Sequence, residues 1–199
     1  MFNKEECLQI IAKHRTDEVV IATMGVTVPW GQISDHPLDY ASVGSAMGHA
    51  ADFGLGIALA RPDKKVLVLN GDGSMLMCLG TLATVTALNK PAHNYYLFVC
   101  ENGSYEVTGN QPIPGGQNFS FTTIARGAGF EKIYEFEDSD SLDAALPSIL
   151  AEAGPTLINL KLALANEPPP SRSGEHAVRF LRPTLAGSTH ELRQALEVE

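Results

Sequence analysis

Two apolar runs, Lys65-Val66-Leu67-Val68-Leu69 and Tyr95-Tyr96-Leu97-Phe98-Val99-Cys100, each break off into a glycine-bearing turn that carries a side-chain oxygen. The first turn is Asn70-Gly71-Asp72-Gly73-Ser74, the second Glu101-Asn102-Gly103-Ser104-Tyr105. Unbroken apolar runs of this length read as strands buried on both faces, which is the signature of a parallel sheet. Leu79, Leu82, Ala83 and Thr86 then recur at helical spacing. An Asp and an Asn therefore stand at the carboxyl ends of neighbouring strands, where open α/β sheets bind ligands. Paired oxygen ligands suit Mg²⁺, which prefers oxygen and shares its shell with phosphates. Glycines beside Asp72 allow backbone to approach a phosphate, and helix N-termini favour anions. The pattern points to a metal-bridged diphosphate. Taken alone, Asp and Asn beside Gly are also ordinary turn chemistry.

The rest of the chain repeats the alternation. Asn3, with Glu6 three residues on, resembles a capping box ahead of a helix of about twelve residues with Cys7, Leu8, Ile11 and Ala12 on one face. Glu18 to Ala22 reads as a strand and Tyr40 to Val43 as a short second one. Met47 to Ala60 is a Gly- and Ala-rich, closely packed helix ended by Arg61-Pro62-Asp63. Asn102 to Gln117 is a loop over the site. Ser120 caps a helix ending near Gly127 or Gly129. Leu142, Ala145, Leu146, Ile149 and Leu150 mark another helix, and Thr156 to Leu162 is the last strand. Alternation of this kind implies a three-layer α/β fold, a mostly parallel sheet with helices on both faces. Gly54-Leu55-Gly56 lies inside a helix without a third glycine at the right offset, so it reads as a packing surface and not as a dinucleotide loop. No Gly-Lys-Ser/Thr follows a glycine loop, which excludes a P-loop.

Three sequence blocks carry a resemblance: Gly44-Ser45-Ala46-Met47-Gly48-His49-Ala50, the stretch from Gly71 to Thr84, and the stretch from Asn102 to Pro112. They resemble the thiamine diphosphate-dependent decarboxylases of the sulfopyruvate and phosphonopyruvate type, and the likeness runs from about Thr23 to Lys161. Glu101 departs from the generic motif, which has Asn there, and the spacer between the two turns is a few residues longer than that motif's. The resemblance implies a six-stranded thiamine diphosphate-binding fold over residues 1–165. It implies Mg²⁺ held by Asp72, Asn102 and the Ser104 carbonyl. It implies diphosphate contacts from Gly25 to Thr27, Gly71, Gly73 and Ser74, with Tyr105 lining the site. Met47 would be the wedge that bends the cofactor, and the Ser45 carbonyl would accept from its amino group. His49 is a candidate for facing the substrate, against the plainer reading of a buried, hydrogen-bonded histidine. Glu101 either hydrogen-bonds near the metal or projects sideways, and Glu106 lines the site without an assigned role. His36 and His93 read as solvated.

The implied activity is that of a carboxy-lyase: the diphosphate-binding subunit of a 2-oxo acid decarboxylase, with sulfopyruvate as the leading substrate. Phosphonopyruvate decarboxylation, or another thiamine-dependent decarboxylation or carboligation, is the alternative, and a non-catalytic thiamine-binding subunit is the alternative of a different class. The activating Glu of such enzymes comes from a pyrimidine-binding domain about as large as this whole chain. The resemblance therefore implies a partner subunit and a small anionic 2-oxo acid. Arg126, Arg172, Arg179 and Arg182 are this chain's candidates for meeting its distal charge.

Composition agrees with a soluble globular protein of about one domain: 199 residues, 44% apolar, 19% charged. A net charge of −9 argues against nucleic-acid binding. Lys4, Glu5 and Glu6 are unlike a signal peptide, and no apolar run has the roughly 18 residues of a membrane span. Cys7, Cys78 and Cys100 are scattered and read as reduced thiols of a cytoplasmic protein. Residues 166–199, with Pro168-Pro169-Pro170 and a basic cluster including His176, read as an arm ending in a helix capped by Ser188 and Glu191. That arm would lie on a neighbouring subunit or help to bind an anion.

Overall fold

The computed structural model describes residues 2–42, 47–88, 92–174 and 177–197. In chain order the elements are α1 (Lys4–His14), β1 (Val19–Ala22), α2 (Thr27–Ile33), β2 (Asp39–Ala41), α3 (Ala50–Ala60), β3 (Val66–Gly71), α4 (Asp72–Met77), α5 (Gly80–Thr86) and β4 (Tyr95–Glu101). A two-stranded hairpin, β5 (Ser104–Tyr105) with β6 (Gln111–Pro112), follows. Then come α6 (Phe121–Gly127), β7 (Lys132–Phe136), α7 (Ser139–Ala151), β8 (Thr156–Lys161) and α8 (Leu185–Glu197).

Six strands form one sheet in the order β2-β1-β3-β4-β8-β7. Every pairing in it is parallel, so the expected "mostly parallel" sheet is wholly so. Alternation along the strands splits the core in two. Val20, Leu67, Leu69, Tyr96, Phe98 and Ile158 face one side, against α1 and α7. Val19, Ile21, Val66, Val68, Tyr95, Leu97 and Val99 face the other, against α3, α5 and α6. Both faces are dry, which is why the strands read as continuous apolar runs. Gly54 of α3 is the packing surface expected: a Cβ there would collide with the Val68 side chain. The order of the strands reverses at β1, beside β3, and that switch point places the crevice at their carboxyl ends.

Several elements differ from expectation. Helix α2 went unread because Pro29 and Gly31 break its pattern. Pro29 sits in the first turn, where its missing N–H costs nothing. Gly31 lets Val178 close on the backbone, since a Cβ would lie 2.5 Å from that side chain. Edge strand β7 is half-exposed, so Lys132 and Glu135 disguise it. Helix α3 begins at Ala50, after a turn over Met47–His49. The site loop contains the β5–β6 hairpin. Helix α8 begins at Leu185, so Ser188 is no cap; it lies inside the helix and its hydroxyl donates to the Phe180 carbonyl at 3.3 Å. Asn3 does cap α1, through the Glu5 N–H at 2.8 Å. Met1, Val43–Ala46, Asn89–Pro91, Glu175, His176, Val198 and Glu199 lie outside the described residues.

The C-terminal segment packs on its own chain. Val178, Phe180 and Leu181 join the core on the α1 side, and Leu192 of α8 joins the other. Phe180 is 2% exposed. Phe180→Ala should therefore lower the stability of the isolated chain by about 3–5 kcal/mol, read from equilibrium urea unfolding. A loss below about 0.5 kcal/mol, the scale of surface substitutions, would mean that the segment docks elsewhere in solution.

Candidate functional site

A cleft of about 230 Å³ opens at the carboxyl ends of β1, β3 and β4. Met24, Gly25 and Val26 wall it after β1, Gly71 to Ser74 after β3, and Asn102 and Ser104 to Thr108 after β4. Met24 stands in the left-handed region at φ 48°, unusual for a side-chain-bearing residue. Met47, Met77, Cys100 and Lys4 complete the wall.

Asp72 is the electrostatic centre. It is 2% exposed at the first residue of α4. Its Oδ1 accepts from the Gly73 N–H at 2.7 Å, and its Oδ2 from the N–H groups of Asn102 at 3.0 Å and Gly103 at 2.7 Å. The carboxylate thus ties the end of β3 to the end of β4. Burial outweighs these three donors and raises its pKa to about 6. A buried carboxylate held this way is short of a cation.

Asn102 has both ends of its amide engaged. Its Oδ1 accepts from the Ser104 N–H at 3.0 Å and its Nδ2 donates to Glu106 Oε2 at 3.2 Å. Gly103 at φ +76° makes the turn that presents its amide to Asp72. Gly73 is required by the Tyr105 ring, which would lie 2.5 Å from a Cβ there. The Ser74 hydroxyl donates to the Met47 carbonyl at 2.8 Å, tethering the turn before α3 to α4.

Of the residues singled out in the sequence, Gly25, Met47, Gly71, Asp72, Gly73, Ser74, Asn102, Ser104 and Tyr105 come together around this one cleft. Thr27 does not line it: it is fully buried in α2, its hydroxyl without a partner among the described residues, and Val26 takes the wall position. Ser45 lies outside the described residues. His49 does not line the cleft either. It is exposed, paired through Nδ1 with Asp52 at 2.5 Å, and its ring nitrogens lie 3.7 and 3.8 Å from the Cys78 sulfur. His36 is no solvated histidine, since its Nδ1 accepts from the Leu38 N–H at 3.1 Å and meets Arg15. Glu101 projects sideways, to Lys161 at 2.7 Å and Asn159 at 2.6 Å.

Lys4 was not legible as a site residue. It is 4% exposed and donates to the Gly25 carbonyl at 3.2 Å and to Glu106 Oε2 at 2.5 Å. Nothing local in Asn3-Lys4-Glu5 signals this, because the contact spans 102 residues. The C-terminal arginines are engaged elsewhere. Arg179 binds Asp35 and the His36 carbonyl, Arg182 the Ala177 carbonyl, and Arg172 the carbonyls of Leu181 and Pro183. Burial drives the Cys100 thiol up to about 12 and raises Cys7 as well, so neither is a nucleophile. Among the described residues, no helix is long and apolar enough to cross a membrane.

Comparison with known proteins gives a consistent answer. The family model described as thiamine pyrophosphate enzyme, C-terminal TPP binding domain, matches residues 22–160. Over 117 residues the chain is 38% identical to a sulfopyruvate decarboxylase subunit beta of Methanocaldococcus jannaschii, covering 58% of this chain and 60% of that one. Over 155 residues it is 36% identical to a phosphonopyruvate decarboxylase of Streptomyces viridochromogenes, covering 77% of this chain and 38% of that one. The chain thus spans about 60% of the first of these relatives and under half of the second. In structure it is similar to a thiamine diphosphate-dependent 4-hydroxybenzoylformate decarboxylase of Rhodococcus jostii, with a TM-score of 0.68 at 19% identity, over 83% of this chain and 33% of that one.

The raised pKa of Asp72 has a thermodynamic consequence. In the unfolded chain an Asp titrates near pH 3.9, and in the metal-free fold near 6. The fold then binds this proton more tightly than the unfolded chain does. Its contribution is present below about pH 4 and is lost as pH rises through 6, on the order of 3 kcal/mol in all. Urea unfolding with chelator at several pH values should show wild type losing stability relative to Asp72→Ala between pH 4 and 7. Parallel pH profiles for the two proteins would contradict a buried carboxylate at this position.

Proposed function

This chain belongs to the thiamine pyrophosphate enzyme family, as its C-terminal TPP-binding domain, and from that premise we propose that it is the diphosphate-binding subunit of a Mg²⁺-dependent 2-oxo acid decarboxylase. The observation that carries the reading is Asp72, a buried carboxylate raised by desolvation and held by the Asn102 and Gly103 N–H groups, at the mouth of a glycine-walled cleft. The donor set fits the cofactor. Hard oxygens suit Mg²⁺, and Gly71, with open space where a Cβ would stand, leaves backbone that a diphosphate can approach. Asp72, Asn102 and the Ser104 carbonyl would hold the metal. Gly25, Gly71, Gly73 and Ser74 would hold the diphosphate, and Met47, tethered by Ser74, would support the ring system. Bound thiamine diphosphate supplies the nucleophilic carbon and the electron sink for loss of CO₂. This chain's part is to orient the cofactor and keep water from its buried side. Residues 1–165 form the cofactor-binding unit in this reading, and residues 166–199 a Pro-rich C-terminal arm with a short helix.

No carboxylate outside the metal turn and the Lys4 pair lines the cleft among the described residues. The Glu that activates the cofactor would come from a pyrimidine-domain subunit of similar size. The name "subunit beta" borne by one relative supports a partner of this kind. Both relatives carry names of pyruvates with a distal anionic group, and sulfopyruvate leads because the match covers 60% of that relative's length at 38% identity, against 38% of the other's at 36%. The expected setting is the cytoplasm.

Asp72→Ala should abolish Mg²⁺-dependent binding of thiamine diphosphate to the assembled enzyme while the far-ultraviolet circular dichroism stays that of wild type. Isothermal calorimetry reads this, and an unchanged affinity would sink the assignment. The reconstituted pair should also prefer sulfopyruvate or phosphonopyruvate over pyruvate by about ten-fold or more in kcat/KM, because one charged hydrogen bond to the distal group is worth about 1.5–3 kcal/mol. Equal turnover of pyruvate would move the reading to a general 2-oxo acid decarboxylase or a carboligase.

A further inference from the structure

Lys4 and Glu106 form an ion pair of 2.5 Å inside the cleft, with side chains 4% and 6% exposed. Ion pairs at such depth seldom stabilise a fold, because desolvating both charges offsets most of their attraction. Their geometry here addresses one neighbour. Glu106 Oε2 takes the Lys4 ammonium and also the Asn102 Nδ2 at 3.2 Å, while Oε1 accepts from the Glu167 N–H at 3.3 Å. Both oxygens of Glu106 thereby have partners on this chain. Its effect falls on the amide. With Nδ2 drawn to Glu106, the Asn102 Oδ1 stays on the other side, beside the Ser104 N–H, with a lone pair left over. An unrestrained amide can flip and present an NH₂ group to a cation.

We propose that Glu106 is a positioning residue that fixes the Asn102 amide with its oxygen toward the metal, and that Lys4 neutralises Glu106 so that this second carboxylate does not repel the diphosphate. Lys4 also donates to the Gly25 carbonyl at 3.2 Å, so the same ammonium holds the loop after β1. A helix from the start of the chain, the turn after β4 and the segment after β8 meet at one carboxylate. The inference rests on the cofactor reading above.

The test uses the assembled enzyme and calorimetric titration with Mg²⁺ and thiamine diphosphate, together with urea unfolding of each metal-free variant. Lys4→Met alone should lower stability and weaken cofactor binding, because it leaves Glu106 buried and unneutralised. Lys4→Met with Glu106→Leu should regain most of the stability but keep a cofactor dissociation constant raised by about ten-fold or more, the usual scale for losing a group that orients a metal ligand. Lys4→Met with Glu106→Gln should bind within about three-fold of wild type, because the Gln Oε1 can still accept from Asn102. That rescue would not follow from a purely structural role. Wild-type affinity in the Met/Leu variant, or equal weakening in the Met/Leu and Met/Gln variants, overturns the positioning role. Asp72→Ala separates the two failures: if it too binds like wild type, the cofactor reading itself falls and takes this proposal with it.

Discussion

A single carboxylate at the seam between two strand ends sets the terms for everything around it. Asp72 sits where water barely reaches and draws three backbone N–H groups from two separate turns. Those donors stabilise its anion, yet desolvation is larger and leaves the group titrating near 6. The surrounding choices follow from that imbalance. Gly103 adopts a conformation that frees its N–H for Asp72, and Gly73 leaves room for Tyr105 to cover the turn. The strands that end here are dry on both faces, so the loops cannot retreat into the layer below. A divalent cation is the natural answer to a charge held this way, and the glycine-lined wall leaves space for the anion that such a cation bridges.

Helix α1 is what relates this seam to the rest of the sheet, because both of its ends are fixed by ion pairs. Its first residue, Lys4, enters the cleft. Its C-cap, Arg15, reaches Asp39 of edge strand β2 at 2.7 Å, where both side chains are nearly inaccessible. Asp39 is saturated by Arg15, the Trp30 indole, Ser34 and the His36 N–H. Arg15 returns two bonds to the Glu18 carbonyl and lies 5.8 Å from the centre of the Trp30 ring. Breaking such a buried pair by removing one partner costs about 3–5 kcal/mol. Helix α1 is thus pinned to the sheet edge at one end and to the cleft at the other.

Much of this was legible in sequence, and the reasons are physical. Strands β3 and β4 are buried on both faces, so their composition alone identified them, and the side chains at their ends belong to turns whose glycines are visible locally. The cleft accordingly assembled from the residues expected, apart from Thr27, His49 and the undescribed Ser45. Illegible features depended on distant contacts. Helix α2 contains the Pro and Gly that usually end helices, and its Gly31 makes sense only once Val178 is seen above it. Edge strand β7 has too little buried surface to show a pattern. The start of α8 was misplaced because Ser188, a good cap residue, is turned inward to Phe180. Lys4 looked like an ordinary first-turn residue of an amphipathic helix.

The charge balance of the cleft decides where an anionic substrate can be met. Lys4 is the only cationic side chain lining it among the described residues, and Glu106 neutralises it, with Glu167 3.8 Å away. Asp72 then leaves the wall negative before any diphosphate arrives. Mg²⁺ offsets part of that, but a diphosphate brings more negative charge than one divalent ion removes. Arg172, Arg179 and Arg182, which in sequence look like a basic arm, are tied into holding the C-terminal segment on the chain's own core. In that reading, a sulfo or phosphono group entering this field would meet no unpaired cation among the described cleft-lining side chains. In the proposed function, then, selectivity for such a substrate has to be built by cations on the opposing subunit. In the same reading, this chain would set the cofactor's position and the electrostatic background against which those cations act.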